Sequence, residues 1–240
     1  MLTLSILAIM TKSVAAMAAN RHYTAVARDA APAGQFCGQV LETTEDLTEI
    51  EAMWKVPHAT VPADEHDRSR SEQWVGIGGF EPDCAYRAYA GTMANAMGNE
   101  TSYEFLCGTE RYTLGITGEV KPGDDVHVKV VIEKPNVMTC YFENLTTGQK
   151  DHETVRTPDF FCRNSAQWLQ QSELLNTDNE VYYPFSTFQF HSAKAKDKKG
   201  KTYDLTGSKS LTWQPKDGKQ LCHPSDLAAD SVTINYDGPN

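Results

Sequence analysis

Residues 122–136 read PGDDVHVKVVIEKPN, and this stretch decides the fold class of the chain. From Val126 to Ile132 every second residue is a valine or isoleucine, and His127 and Lys129 lie between them. A period of two is typical of a β-strand that buries one of its faces. A Pro-Gly pair precedes the apolar run and a Pro-Asn pair follows it, and both pairs favour tight turns. We therefore predict a half-buried strand between two turns.

The same signal recurs along the rest of the chain. Val232, Ile234 and Tyr236 alternate near the C-terminus, and the aromatic run 185–190 suits a pleated sheet. Residues 165–175 also fit helical spacing, so their periodicity leaves helix and strand open. Short strands, regular turn signals and the lack of a linker or internal repeat predict one all-β domain, an antiparallel β-sandwich of two sheets.

The composition limits the partners of this domain. The chain has 240 residues with 22 Lys and Arg against 32 Asp and Glu, a net charge of −10. Three of the basic and one of the acidic residues lie in residues 1–34, so residues 35–240 carry a net charge of −12. Nucleic acids and anionic membranes attract basic surfaces, and we expect neither as a partner. No metal-binding spacing occurs, so we expect no metal site and no cofactor. We also expect a monomer.

The N-terminal segment resembles a secretory signal peptide. Residues 2–10 form an apolar run that is too short to span a bilayer, and Ala16-Met17-Ala18 is an A-x-A cleavage pattern. We predict a signal peptide over residues 1–18, a short leader or propeptide over residues 19–34, and the sandwich domain over residues 35–240. The predicted location is therefore extracellular.

Cysteines and sequons agree with secretion. Six cysteines follow the predicted cleavage site, and an even number in an exported chain indicates disulfides. They are Cys37, Cys84, Cys107, Cys140, Cys162 and Cys222. We favour Cys84–Cys107 and Cys140–Cys162, because each pair flanks strands predicted to be adjacent, and this leaves Cys37–Cys222. Sequons at Asn99 and Asn144 predict N-linked glycans.

Several segments carry a family resemblance. Residues 73–79 read QWVGIGG, residues 142–150 read FENLTTGQK, and residues 164–168 read NSAQW. In this order they resemble the W-V-G-I-D-G strand, the E-N-L-T-T-G-Q hairpin and the N-A-E-W segment of the glutamic peptidase (eqolisin) family. The likeness covers residues 35–240. It implies a concanavalin A-like sandwich of the eqolisin jelly-roll type with a cleft across its concave face, and a secreted endopeptidase that acts at acid pH.

The resemblance also implies a catalytic dyad that this chain lacks. In the family a glutamate is the general base and acid, and a glutamine stabilises the oxyanion. The glutamate position is Gln167 here, an amide that cannot accept a proton. The family's glutamine follows the equivalent of Cys84 by six residues and therefore falls on Ala90. A shift of register does not restore the dyad, because residues 85–98 contain no Gln, Glu or Asp.

Three functions remain open at this point. We expect a secreted pseudopeptidase that binds a peptide or another ligand in the cleft without cutting it. An active acid endopeptidase with relocated acids is the alternative, and a carbohydrate-binding or glycan-cleaving module is suggested only by the sandwich shape. The residues expected to line the cleft are Trp74, Gly78, Tyr86, Tyr89, Glu104 and Trp168. The candidate relocated acids are Glu104, Glu143 and Glu173.

Overall fold

A computed structural model of the chain describes residues 36–60, 69–80, 86–97, 100–109, 112–116, 119–174, 183–214 and 218–239. These residues form fifteen β-strands and no α-helix, and the strands build two antiparallel sheets. The predicted all-β sandwich is therefore confirmed. The described residues contain no helix long and apolar enough to cross a membrane. The predicted signal peptide (1–18) and leader (19–34) lie outside this part of the chain.

We call the two sheets A and B. Across sheet A the strands lie in the order β13 (Lys209–Leu211), β1 (Phe36–Glu42), β10 (Ser165–Leu174), β3 (Ser69–Ile77), β4 (Ala88–Met97), β5 (Glu100–Thr109) and β6 (Tyr112–Ile116). Across sheet B they lie in the order β14 (Cys222–Ser225), β15 (Val232–Tyr236), β11 (Phe188–Asp197), β2 (Leu47–Lys55), β7 (Asp125–Lys134), β8 (Val137–Asn144) and β9 (Gln149–Arg156). The short β12 (Thr202–Tyr203) pairs with β11.

The ambiguous segment 165–175 is strand β10 and not a helix. It pairs with β1 along one side and with β3 along the other, so both its edges are hydrogen-bonded in the middle of sheet A. The predicted strands at 126–132 and 232–236 are confirmed as β7 and β15. The aromatic run 185–190 begins its strand only at Phe188, and Phe185 makes an isolated bridge to Ala59.

Successive residues of β10 belong to two separate apolar clusters. Ala166 and Trp168 join the core between the two sheets, which also contains Trp54 and Phe190. Leu169 belongs to a second cluster on the opposite face of sheet A, which we call the outer face. Because side chains alternate along a strand, Gln167 shares the outer face with Leu169. Trp168 donates its indole N–H to the Glu51 carbonyl in the inter-sheet core at 3.2 Å, so its assignment to the cleft is wrong.

The disulfides differ from the predicted pairing in two of three cases. Cys37–Cys222 is confirmed. Cys107 bonds Cys140, with a Cα–Cα distance of 6.0 Å, so Cys84–Cys107 and Cys140–Cys162 are wrong. Cys107 lies on β5 of sheet A and Cys140 on β8 of sheet B, and both side chains point into the inter-sheet core. The bond therefore joins the two sheets rather than neighbouring strands of one sheet. Cys162 is also disulfide-bonded, and Cys84 lies outside the described residues.

Asn144 is a structural residue of the β8–β9 turn. Its side chain is buried, and Nδ2 donates to the Glu119 carbonyl at 3.1 Å and to Asp124 Oδ2 at 2.8 Å. Its Oδ1 accepts the backbone N–H groups of Thr146 and Thr147. A glycan attaches through Nδ2, so the prediction of a glycan at Asn144 is wrong for the folded domain. Asn99 lies outside the described residues.

Candidate functional site

The strand register aligns one row of residues across the outer face of sheet A, which we call the Gln167 row. From edge to edge it contains Lys209, Val40, Gln167, Gly76, Tyr89, Gly108 and Thr113. Ala90 pairs with Val75 and points to the opposite side, into the inter-sheet core. The two residues predicted for the dyad positions therefore face opposite sides of sheet A. Tyr89, and not Ala90, is the β4 residue beside Gln167, because a shift of one residue along a strand exchanges its faces.

Gln167 is held in one orientation by its amide nitrogen. The side chain is fully buried, and Nε2 donates to the Gly78 carbonyl at 2.8 Å and to Ser165 Oγ at 2.9 Å. Both N–H groups are thus used within the chain. Its Oε1 is also buried and has no hydrogen-bond partner among the described residues. Gln167 therefore offers the site an acceptor, and neither a free donor nor a titratable group.

Gly78 contributes its backbone to the site. Its φ angle is +79°, a conformation that favours glycine, and a Cβ atom there would clash with the carbonyl group of Cys162. The Gly78 amide donates to the Ser165 carbonyl at 2.9 Å, which directs the Gly78 carbonyl to Gln167. The residue predicted for the cleft is therefore present beside Gln167, where it fixes the amide.

Trp74 and Tyr89 fill the middle of the Gln167 row. A Cβ atom on Gly76 would lie 2.8 Å from Trp74 Cζ3, so the indole ring covers Gly76, the residue between Gln167 and Tyr89. The Tyr89 ring covers Gly108 in the same way, and its hydroxyl lies 2.7 Å from Thr113 Oγ1. That hydroxyl points toward β6, away from Gln167. Of the four aromatic residues predicted for the cleft, Trp74 and Tyr89 therefore lie on the outer face, whereas Tyr86 packs against the inter-sheet core and Trp168 lies in it.

Glu104 is the candidate relocated acid that the structure places on the outer face. It pairs with Met93 of β4, and its Oε1 accepts a hydrogen bond from Asn95 Nδ2. Burial raises the pKa of the Glu104 carboxyl, while the Arg70 charge and the Asn95 hydrogen bond oppose that rise. A buried carboxyl with a raised pKa is typical of groups that donate or accept protons in catalysis.

The other two candidate acids do not join it. Glu143 lies on sheet B, where it forms an ion pair of 2.8 Å with Lys150. Glu173 is aligned with Arg70 on β3, but its side chain lies outside the described residues.

Glu72 is a buried acid that was not among the residues predicted for the site from the sequence. Glu72 lies on β3 and is fully buried, and in the part of the chain that the structure describes neither carboxylate oxygen has a hydrogen-bond partner. It shares a face with Trp74, two residues later, and this period of two was the signal that would have revealed it. Glu72 and Glu104 are aligned in a row with Met93 between them. Each lies four residues along its strand from the Gln167 row, which corresponds to about 13 Å.

Sheet B carries a separate charged surface on its own outer side. A groove of about 640 Å³ there is lined by His127, Lys129, Tyr141, Glu143, Lys150 and His152, among others. Glu51 accepts a hydrogen bond from His127 at 2.6 Å, and this contact together with Lys194 lowers the pKa of Glu51 to about 2. Glu49 bridges Lys129 and Lys196. These charged side chains are paired with one another, so this surface is a weaker candidate for a functional site than the outer face of sheet A.

Comparison with solved structures identifies the same architecture. Scytalido-glutamic peptidase bound to a peptide-based transition state analog aligns with a TM-score of 0.68 and 19% identity, covering 85% of this chain and 98% of that one. SCP-B, a member of the eqolisin family in complex with the tripeptide Ala-Ile-His, aligns with a TM-score of 0.63 and 20% identity, covering 85% and 98%. Aspergilloglutamic peptidase from Aspergillus niger aligns with a TM-score of 0.60 and 25% identity, covering 70% and 98%.

The sequence comparison agrees with the structural one. No curated protein sequence matches the chain. Residues 34–236, which span the whole sandwich, match the Peptidase A4 family. The expected family resemblance is therefore confirmed, and the chain belongs to the peptidase A4 family of glutamic peptidases.

Proposed function

We propose that this chain is a secreted, catalytically impaired member of the family that binds peptides on the outer face of sheet A without cleaving them. The observation that carries the proposal is the Gln167 row, whose seven residues include no carboxyl group. The neighbouring row that contains Trp74 and Leu106 has none either.

Peptide hydrolysis of the glutamic type needs two functions that this row does not supply. A general base must take a proton from the attacking water, and its loss costs about 10²–10⁴ in rate. A fixed donor must stabilise the oxyanion, and its loss costs about 10²–10³. The Gln167 amide cannot act as a base, and both its N–H groups donate hydrogen bonds within the chain. The Tyr89 hydroxyl is hydrogen-bonded to Thr113. The two losses need not add, but either alone removes most of the activity.

The same amide supports binding. A buried acceptor without a partner costs roughly 1–3 kcal/mol, which a ligand N–H group placed within hydrogen-bond distance would recover. A peptide backbone carries such donors at regular spacing, and Trp74 offers an apolar ring beside Gln167. The similar scytalido-glutamic peptidase and SCP-B structures hold a peptide-based analog and a tripeptide, respectively. Binding of a peptide is therefore the function that this site supports best.

A second candidate function is acid endopeptidase activity from the relocated pair Glu72 and Glu104. The raised pKa of Glu104 favours it, because such a carboxyl can act as a general acid. The strands that carry the two acids are separated by β4, which places them roughly 10 Å apart. That distance leaves room for a water molecule and a peptide bond, but Gln167 lies too far away to assist. No contact among the described residues favours the carbohydrate-binding alternative.

Secretion is part of the proposal. The disulfides Cys37–Cys222 and Cys107–Cys140 are typical of exported proteins, since such bonds persist in oxidising compartments. We propose removal of residues 1–18 on export and an extracellular monomer that needs no cofactor. Mass spectrometry of the chain recovered from the medium of a eukaryotic secretion host tests the cleavage site directly.

Proteolysis and peptide binding at acid pH, measured on the same preparation, test the function. The unmodified chain should bind an extended peptide and release no fragments. Gln167→Glu combined with Tyr89→Gln restores a carboxyl and an amide to one row and should produce cleavage. Its matched control, Gln167→Glu with Ala90→Gln, sends the second amide into the inter-sheet core and should remain inactive.

Two results decide against the proposal. Cleavage by the unmodified chain that pepstatin does not inhibit and that Glu104→Gln abolishes would establish the relocated pair instead. A failure to bind any peptide of a diverse set would refute the binding function itself.

A further inference from the structure

Three aromatic rings on the outer face of sheet A surround one cationic side chain. The Arg87 guanidinium carbon lies 4.7 Å from the ring centre of Trp74, 5.2 Å from that of Phe36 and 5.4 Å from that of Tyr89. All three distances fall within the roughly 6 Å at which a cation is attracted to an aromatic face. Arg87 is only 3% exposed, so these contacts are largely shielded from water.

The rings form a fixed enclosure rather than a chance contact. Phe36 and Trp74 meet edge to face at 6.0 Å, and Trp74 and Tyr89 lie 5.2 Å apart. Trp74 is anchored by its indole N–H to Gln171 Oε1, and Tyr89 by its hydroxyl at Thr113. The rings come from β1, β3 and β4, so three strands of one sheet hold them in place. We call these three residues the aromatic box.

Arg87 reaches the box from its own chain across the Gln167 row. It directly precedes β4 and, two residues before Tyr89, shares the outer face with it. Gly79 makes space for the side chain: its φ angle is +75°, and a Cβ atom there would lie 2.6 Å from Arg87 Cβ. Because the Trp74 ring covers Gly76, the guanidinium on that ring lies above the space between Gln167 and Tyr89. Arg87 thus occupies the place where a ligand would meet the Gln167 row.

We propose that the aromatic box is a guanidinium-binding site, that Arg87 fills it from within the chain, and that a peptide enters the site by replacing Arg87 with an arginine side chain of its own. The chemistry is the same in both states: a guanidinium cation lies within about 6 Å of three ring centres. The free chain is then self-occupied, and the fraction in which Arg87 has left sets the apparent affinity for the peptide. The peptide step rests on the proposed peptide-binding function, whereas the guanidinium site does not.

The site is tested first with a small probe. Methylguanidinium should bind Arg87→Ala with millimolar affinity, about tenfold or more tighter than it binds the unmodified chain. N-methylurea, a neutral molecule of the same shape, should not bind. Arg163→Ala is the matched control variant, because Arg163 pairs with Asp46 away from the box and its removal should leave methylguanidinium binding as in the unmodified chain. The site would be refuted if methylguanidinium bound Arg87→Ala and the unmodified chain equally well. It would also be refuted if N-methylurea bound Arg87→Ala as tightly as methylguanidinium does.

Two further measurements keep the inference open to refutation if Arg87→Ala does not fold. In the unmodified chain, ring currents should move the NMR signals of the Arg87 δ-methylene protons upfield, and ordinary positions would refute the self-occupied state. Arg87→Gln, which keeps the β, γ and δ carbon positions of the side chain but removes the guanidinium group and its charge, should gain methylguanidinium binding as Arg87→Ala does, and no gain would count against the box.

The peptide step is tested with an extended octapeptide carrying one central arginine and with its citrulline counterpart. The arginine peptide should bind Arg87→Ala about tenfold or more tighter than the unmodified chain, and tighter than the citrulline peptide. Equal affinities for both proteins would refute the displacement of Arg87 while leaving peptide binding intact. If neither peptide bound either protein, the proposed peptide-binding function would be refuted. The methylguanidinium measurement would still show whether the aromatic box binds a guanidinium group.

Discussion

Glu51 makes the stability of this sandwich depend on pH in a way that one substitution isolates. The carboxyl accepts a hydrogen bond from His127 at 2.6 Å and forms an ion pair of 3.2 Å with Lys194. These contacts lower its pKa from 4.5 to about 2 in the folded chain. Because the folded pKa is depressed, the stabilisation is fully present above pH 4.5 and is lost as the pH falls through about 2.

The magnitude follows from the two pKa values. One pH unit of difference corresponds to about 1.4 kcal/mol, so the contacts of Glu51 contribute about 3 kcal/mol at pH 7. The contribution falls to about 1 kcal/mol at pH 3 and is nearly lost at pH 2. Glu51→Gln removes the titrating group, so the free energies of unfolding of the variant and the unmodified chain should differ by about 3 kcal/mol at pH 7 and converge toward pH 2.

Urea unfolding between pH 7 and pH 2, followed by tryptophan fluorescence, measures both curves. Glu119→Gln is the control, because the Glu119 side chain is 85% exposed and should leave the pH dependence unchanged. A constant difference between Glu51→Gln and the unmodified chain across the whole pH range would refute the reasoning. So would a difference that widens as the pH falls.

Three further predictions concern the buried residues of the sandwich. Glu72→Leu replaces a buried carboxyl group that has no hydrogen-bond partner among the described residues with an apolar side chain, and should raise the free energy of unfolding at pH 7 by about 1–3 kcal/mol; a lower urea midpoint would contradict this. Trp168→Ala leaves a cavity in the inter-sheet core and should lower the free energy of unfolding by about 3–5 kcal/mol, measured by urea unfolding. A near-neutral effect would indicate that Trp168 is not packed in the core. Replacing both Cys107 and Cys140 by alanine removes a disulfide that closes a loop with a sequence separation of 33, and should lower the free energy of unfolding by about 3–4 kcal/mol. The thermal midpoint should fall accordingly, and an unchanged midpoint would count against the inter-sheet bond.

The amino-acid sequence by itself determined the fold class and the family. Valine or isoleucine occupies every second position from Val126 to Ile132, and this pattern gives one apolar face only in a strand. The strand could therefore be predicted without knowledge of distant contacts. The placing of Gln167 at the family's glutamate position stays a prediction, which rests on the likeness of residues 164–168 to the N-A-E-W segment with one extra residue. Cys37–Cys222 was also assigned correctly, but only as the pair that remained.

The tertiary structure decided everything that depends on which face of a strand a residue occupies. A shift of one residue exchanges the two faces of a strand, and this is why Ala90 lies in the inter-sheet core while Tyr89 lies beside Gln167. The same alternation sends Trp168 into the core and brings Glu72 onto the outer face. The bond between Cys107 and Cys140 depends on how the two sheets are stacked, and the enclosure of Arg87 depends on rings from three strands. Local periodicity specifies that faces alternate, but only the pairing and stacking of distant strands specify which face each residue occupies.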